Sequence, residues 1–126
     1  MKTTPQEPPK NGIAEEFFKD GTLAVTGRYK DGEKTGEWKY YLKNGNLKAI
    51  GRFKKGKMDG EWKWYRENGA LMQTGAFKED RRTGVWKRYD ADGQLADEGA
   101  YNGEKKTGVW KTYEADGNIK KTKEYK

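Results

Sequence analysis

Trp38, Trp62, Trp86 and Trp110 stand 24 residues apart, and Tyr41, Tyr65, Tyr89 and Tyr113 keep the same step with no residue lost between copies. Repetition at a fixed period of this size marks an array, in which each unit buries its apolar side only by stacking on its neighbours. The unit, not the whole chain, is therefore what must be explained. Composition sharpens the point: 32% of the residues are hydrophobic and 37% charged, too little apolar surface for an ordinary core. Five Trp, eight Tyr and four Phe supply instead a large buried area per side chain. Most of them sit at repeat-locked positions, which a disordered polar chain has no reason to keep.

Two kinds of turn recur in each unit. The first is Asp or Asn followed by Gly, at Asp20-Gly21, Asn44-Gly45, Asn68-Gly69, Asp92-Gly93 and Asp116-Gly117. Such dipeptides tolerate positive φ and predict tight type I′ hairpin turns. The second connection, Asp31-Gly32-Glu33-Lys34-Thr35-Gly36 and its copies, predicts a looser loop of variable shape, since its inner Gly gives way to Asp80 and Glu104 in the later units.

Between turns, alternation puts Leu47, Ala49, Gly51 and Phe53 on one face of a strand and Lys48, Ile50, Arg52 and Lys54 on the other. In the next strand Gly60, Trp62 and Trp64 oppose Glu61, Lys63 and Tyr65. Trp62 and Tyr65 are three apart and so fall on opposite faces of a regular strand. The reading adopted here curls Tyr65 over the strand end; a bulge, or cover on both faces, is the other way to reconcile them. Gly27, Gly51, Gly75 and Gly99, each two residues before an aromatic, leave room for a neighbouring ring to lie on the backbone.

These features predict an all-β fold: a single-layer antiparallel meander of stacked β-hairpins, advancing ~10 Å per unit from two strands at ~4.8 Å spacing. Residues 1–12, with Pro5, Pro8 and Pro9, read as a disordered leader, and residues 13–126 as the array. Half-units close it at both ends: Phe17, Gly21, Leu23, Gly27 and Tyr29 align with the following copy, and Gly117, Ile119 and Tyr125 with the preceding one.

The pattern Gly-x-aromatic-Lys, Gly-x-Trp-x-x-Tyr, Asn/Asp-Gly-x-Leu, over about residues 16–125, resembles the bacterial variant of the MORN repeat. The resemblance implies elongated single sheets of stacked hairpins and roles as scaffolds, as membrane-associated modules or, in many bacterial members, as antitoxin-like or immunity-like proteins. It brings no catalytic residues to carry over.

The chain has no Cys and no His, which excludes a disulfide framework, a thiolate nucleophile, a Cys/His zinc site and a histidine base. No enzyme activity, cofactor or metal site is expected; Glu15-Glu16, Glu79-Asp80 and Asp97-Glu98 lack any partner constellation. Residues repeated in every copy belong to structure, so a binding surface is sought where copies differ. Two positions after each Trp stand Tyr40, Trp64, Arg88 and Thr112. Tyr40, Trp64 and Arg88 form the candidate partner-binding strip, since aromatics and Arg dominate interface hot spots; the alternative is that the aromatics merely thicken the core. Lys39, Lys63, Lys87 and Lys111, on the face opposite Trp, form a candidate anion-facing row. Its alternative is a solvated ladder paired with Glu37, Glu61 or their neighbours.

The formal charge of +7 permits anionic partners. The expected function is a protein-protein interaction or scaffold module, with antitoxin or immunity as one form of it. An anionic membrane surface is the second reading, and polysaccharide binding by the aromatic strip a third. Nucleic acid ranks low because acids dilute the basic residues. Open sheet edges suit an edge-to-edge homodimer. As written, with no apolar signal segment, the chain reads as cytoplasmic; a signal or lipid anchor ahead of the leader would place it in the periplasm or on the cell surface.

Overall fold

A computed structural model describes residues 10–126, so the prolines of the leader lie outside the described residues. The strands are β1 (Gly12–Phe17), β2 (Leu23–Lys30), β3 (Glu33–Tyr41), β4 (Leu47–Lys54), β5 (Lys57–Met58), β6 (Gly60–Tyr65), β7 (Leu71–Lys78), β8 (Arg81–Tyr89), β9 (Leu95–Asn102), β10 (Lys105–Tyr113) and β11 (Ile119–Tyr125). They form one antiparallel sheet in sequence order, with no helix among the described residues. β5 and β6 are one strand interrupted at Asp59; both pair with β4. The array starts a little earlier than residue 13. β1 begins at Gly12, the Asn11 side chain accepts the Asp31 N–H, and the Lys10 carbonyl accepts that of Gly32.

The two turn types are exchanged relative to the sequence reading. At Asn44-Gly45 the Gly45 N–H bonds to the Leu42 carbonyl and the Leu42 N–H to the Asn46 carbonyl. Only Gly45 has positive φ, at 90°. This is a three-residue loop: a type I turn followed by a left-handed Gly that forms a bulge. Its cause is the Asn44 side chain, whose Oδ1 accepts the Asn46 N–H at 2.8 Å and holds Asn44 in a right-handed conformation. The connections read as loose are the two-residue turns. Asp31-Gly32, Lys55-Gly56 and Glu79-Asp80 all have positive φ at both central positions, the type I′ signature, while Gly103-Glu104 is positive at Gly103 alone, as in type II′. Residues Glu33 to Gly36 are thus already strand.

A second correction concerns Leu47 and Tyr65. Tyr65 pairs with Leu71 while Trp64 pairs with Gln73, so Met72 is an extra, bulged residue; Lys48 plays the same part between Leu47 and Ala49. A bulge re-aims the side chains beyond it. Tyr65 therefore does not curl over the strand end, and Leu47 does not share a face with Ala49. Both join the face opposite Trp, where Tyr41-Leu47, Tyr65-Leu71, Tyr89-Leu95 and Tyr113-Ile119 form cross-strand pairs.

Each Trp ring lies on the preceding hairpin. Between β2 and β3 the register slips around Gly36, whose φ of 66° throws the strand outward, and the Trp38 ring settles over Gly27. A Cβ on Gly27, Gly51, Gly75 or Gly99 would stand 1.9–2.1 Å from the ring of Trp38, Trp62, Trp86 or Trp110 respectively. Trp38, Trp62 and Trp86 are 0%, 2% and 3% exposed, so a one-layer sheet acquires a core without a second layer. Their indole N–H groups donate to backbone carbonyls, Trp62 to Arg52 at 3.1 Å. Tyr29, Trp38, Phe53, Trp62, Phe77, Trp86, Tyr101, Trp110 and Tyr125 pack edge to face in an unbroken row, with centroids 5.1–6.3 Å apart.

At the ends the device stops. Ala14 takes the place that Trp holds in the later units, and Lys123, paired with Trp110, takes the place of the socket Gly.

Candidate partner-binding face

Strand alternation and the bulges assign every candidate to a face. Tyr40, Trp64, Arg88 and Thr112 share the Trp face, and cross-strand pairing sets Tyr40 beside Val25 and Ala49, Trp64 beside Ala49 and Gln73, and Arg88 beside Gln73 and Asp97. Each aromatic also leans on the Trp of the following unit. Tyr40 meets Trp62 at 6.2 Å, and Trp64 stacks on Trp86 at 5.5 Å with 29° between planes. They thicken the core and still keep part of their surface in solvent. The half-buried Tyr40 phenol is pushed above its ordinary pKa, first by burial and then by Tyr29 and Glu16.

Arg88 breaks the aromatic run. Its Nε donates to both oxygens of Asp97, at 3.1 and 3.0 Å, and Nη2 closes a fork on Oδ2. Those hydrogen bonds, then the charge of the carboxylate, hold the guanidinium still more firmly in its cationic form. The sequence reading did not foresee that Arg88 is engaged within the chain.

Beside Trp64, at the Asn44-Gly45 turn end of the hairpins, lies a groove of about 680 Å³ lined by Phe18, Leu42, Lys48, Trp64 and Met72, with Tyr41 and Tyr65 of the opposite face also reaching its wall. Sequence reasoning named Trp64 as a binding residue and Tyr41 and Tyr65 as structural ones, and passed over the rest. The signal was available in the repeat: Phe18 and Leu42 are replaced by Arg66, Asp90 and Glu114 in later copies, and Met72 by Ala96 and Lys120. Phe18, Leu42 and Met72 thus bring apolar side chains together within the first three units, beside Lys48, the preceding copy of Met72.

A second missed feature is a set of cations lying on the aromatic row. Lys34 sits 4.8 Å from the Trp38 centroid, Arg82 5.2 Å from that of Trp86 and Lys106 4.5 Å from that of Trp110. In the third unit Met58 takes this position, so the cation is missing there.

Lys39, Lys63, Lys87 and Lys111 lie on the opposite face, in one row across the sheet with Ile50, Thr74 and Glu98 between them. Lys39 and Lys63 approach Glu37 and Glu61 at 3.8 and 3.7 Å, exposed pairs worth ~0–1 kcal/mol each. Val85 and Val109 stand in place of those glutamates beside Lys87 and Lys111, and are 55% and 51% exposed. Neither lysine forms an ion pair among the described residues. On this face the Tyr113 hydroxyl donates to Glu98 Oε2, which raises the phenol pKa.

Among the described residues no three His, Cys, Asp or Glu side chains come together as a metal site, and no helix is long and apolar enough to cross a membrane. The model of the MORN repeat variant family matches the chain five times, over residues 10–31, 34–55, 58–79, 82–102 and 106–126. Each match spans one hairpin, so the first unit, with Ala14 in the Trp place, counts as a repeat in its own right. No curated protein matches the chain.

Proposed function

The chain belongs to the MORN repeat variant family, and from that premise we propose that it is a non-enzymatic protein-protein interaction module whose partner seats on the Trp face. MORN repeats in general are binding or scaffold modules, some of them lipid-associated. The observation that carries the finer reading is the groove beside Trp64, where three residues at positions that vary between copies, Phe18, Leu42 and Met72, are apolar and come together. Tyr40 and Trp64 serve as anchors: large, half-buried and held by the rings beneath them, so that little side-chain entropy is lost on binding. An antitoxin or immunity role is one form such a module takes, with a toxin surface in the groove.

The test is a pull-down from host lysate with wild type and with Tyr40→Thr/Trp64→Thr. Thr already occupies this position at Thr112, so the variant keeps the array's own alternatives. One protein retained by wild type and lost by a variant of unchanged circular dichroism supports the reading. Equal retention by both removes the Trp face from consideration.

The lysine row supports a second reading, a peripheral module on anionic lipid. Lys39, Lys63, Lys87 and Lys111 recur at ~10 Å intervals along one face, with exposed Val85 and Val109 beside the two unpaired ones. Flotation with vesicles rich in phosphatidylserine checks it. Binding should fall steeply with salt and vanish in Lys87→Gln/Lys111→Gln.

A further inference from the structure

The Trp face changes character along the array. Past the apolar groove, across β8 to β11, it forms a trough whose two recesses, about 350 and 280 Å³, share Arg88, Asp97, Lys106 and Trp110. Arg82, Arg88, Lys106, Lys121 and Lys123 line the trough. Its one carboxylate, Asp97, is already held by the fork from Arg88. Arg82, Lys106, Lys121 and Lys123 have no ion-pair partner among the described residues. Three of the cations rest on rings rather than on acids: Arg82 on Trp86 and Tyr101, Lys106 on Trp110 and Tyr125, Lys123 on Tyr125. A ring orients a cation without neutralising it, so each is placed in advance and its charge stays available.

The geometry points to this trough as the seat of an acidic stretch of a partner protein, continuing from an apolar anchor in the groove beside Trp64. This deepens, and rests on, the reading of the Trp face as a partner-binding surface. Crossing four strands is ~14 Å, the span of about four extended residues. The trough fits carboxylates better than bases. Single-stranded nucleic acid needs open ring faces for stacking, whereas Trp86 is 3% exposed, lying beneath Arg82 and Trp64. Carboxylates need only the cations, and in Arg82 and Arg88 they meet guanidinium groups suited to them. The apolar and basic halves together fix a direction: the anchor lies toward the N-terminal units and the acidic run toward β11.

The probe is a fluorescent peptide with Trp and Leu followed by four Glu, compared with the same peptide carrying Gln, by anisotropy at 150 mM salt. The Glu form should bind about tenfold or more tighter. Arg82→Gln/Lys106→Gln should remove that difference, while Lys87→Gln/Lys111→Gln, an equal change of charge on the opposite face, should leave it. Equal binding of both peptides, abolished by Trp64→Thr, overturns the acidic seat and leaves the partner-binding face standing. A Glu preference untouched by Trp64→Thr keeps the acidic seat and overturns the groove as its anchor. Equal weakening by the two charge pairs shows a bulk charge effect and overturns the inference. So does tighter binding of oligothymidine or anionic vesicles at the same salt, and so does absence of any binding.

Discussion

Gly51→Ala adds one methyl group to a buried point of a single-layer sheet, and it should be among the most damaging small substitutions in the chain. The φ of Gly51 is not in the left-handed region, so Ala meets no backbone strain there. In a strand Ala should even gain ~0.5–1 kcal/mol over Gly. Against that, the new Cβ would stand 1.9 Å from Cδ2 of Trp62, inside an indole that is 2% exposed. The ring must leave. Burying ~200 Å² of indole at ~25 cal/mol per Å² is worth ~5 kcal/mol, and a ring tilted off the strand keeps part of its packing on Phe53 and Phe77, so a net loss of ~3 kcal/mol is expected.

Urea unfolding followed by far-UV circular dichroism measures it, with two comparisons. Gly45→Ala, at φ 90° with no atom within 4 Å of the added carbon, should cost only ~1–2 kcal/mol from backbone strain. In a Trp62→Ala background Gly51→Ala should cost nothing, because the ring it displaces is gone. The cycle then gives a coupling of ~3 kcal/mol. A loss under ~1 kcal/mol, or the same loss with and without Trp62, would refute the ring-on-glycine account of the core.

Three further outcomes concern the turns, the ends and the half-buried phenol. Lys55 holds φ 51° at the first central position of a type I′ turn, so Lys55→Asn should raise stability by ~0.5–1 kcal/mol, read as a higher urea midpoint. Ala14→Trp with Lys123→Gly rebuilds the inner contact at both ends of the array and should produce concentration-dependent polymers by light scattering, while either change alone should not. The Tyr40 pKa lies above 10.0 in the folded chain, so the folded state holds its proton longer than the unfolded one; stability is full below pH 10 and falls as pH rises through the folded value. Tyr40→Phe should flatten that alkaline fall in urea midpoints measured from pH 8 to 11.

The period, the strand content and the antiparallel meander were legible because the spacing of Trp and Tyr carries them without any need for packing detail. The turn types were not. Asp-Gly and Asn-Gly serve a two-residue type I′ turn and a three-residue turn with a bulged Gly equally well, and the choice is made by the hydrogen bonds that Asn44 Oδ1 and the Leu42 carbonyl accept from Asn46 and Gly45 N–H. Nor was the face of Tyr65, which depends on one bulged residue, Met72, in the strand opposite. No local pattern announces a bulge on a partner strand. The groove escaped for a related reason: Phe18, Leu42 and Met72 are far apart in the chain, and only the 24-residue step, applied to turn residues as well as to Trp, aligns them with their polar counterparts.

That step also explains how so thin a fold leaves room for function. In a globular domain a residue buried on one side is constrained by many neighbours at once. Here the constraint is met by a few positions per unit: a Trp, the Gly beneath it, the edge-packed ring beside it and the Tyr-Leu pair on the far face. Positions that only rest on this framework can change from unit to unit at a smaller cost, which is why Met58 can stand where Lys34, Arg82 and Lys106 do, and Trp64, although it stacks on Trp86, where Arg88 and Thr112 do. Such exchanges, made unit by unit, draw an apolar groove beside Trp64 in the first three units and a basic trough in the last two, on a scaffold that stays the same beneath both. Exchanging Trp64 and Met72 for Arg and Ala, the residues of the next unit, should therefore leave the fold intact and move only what the face binds.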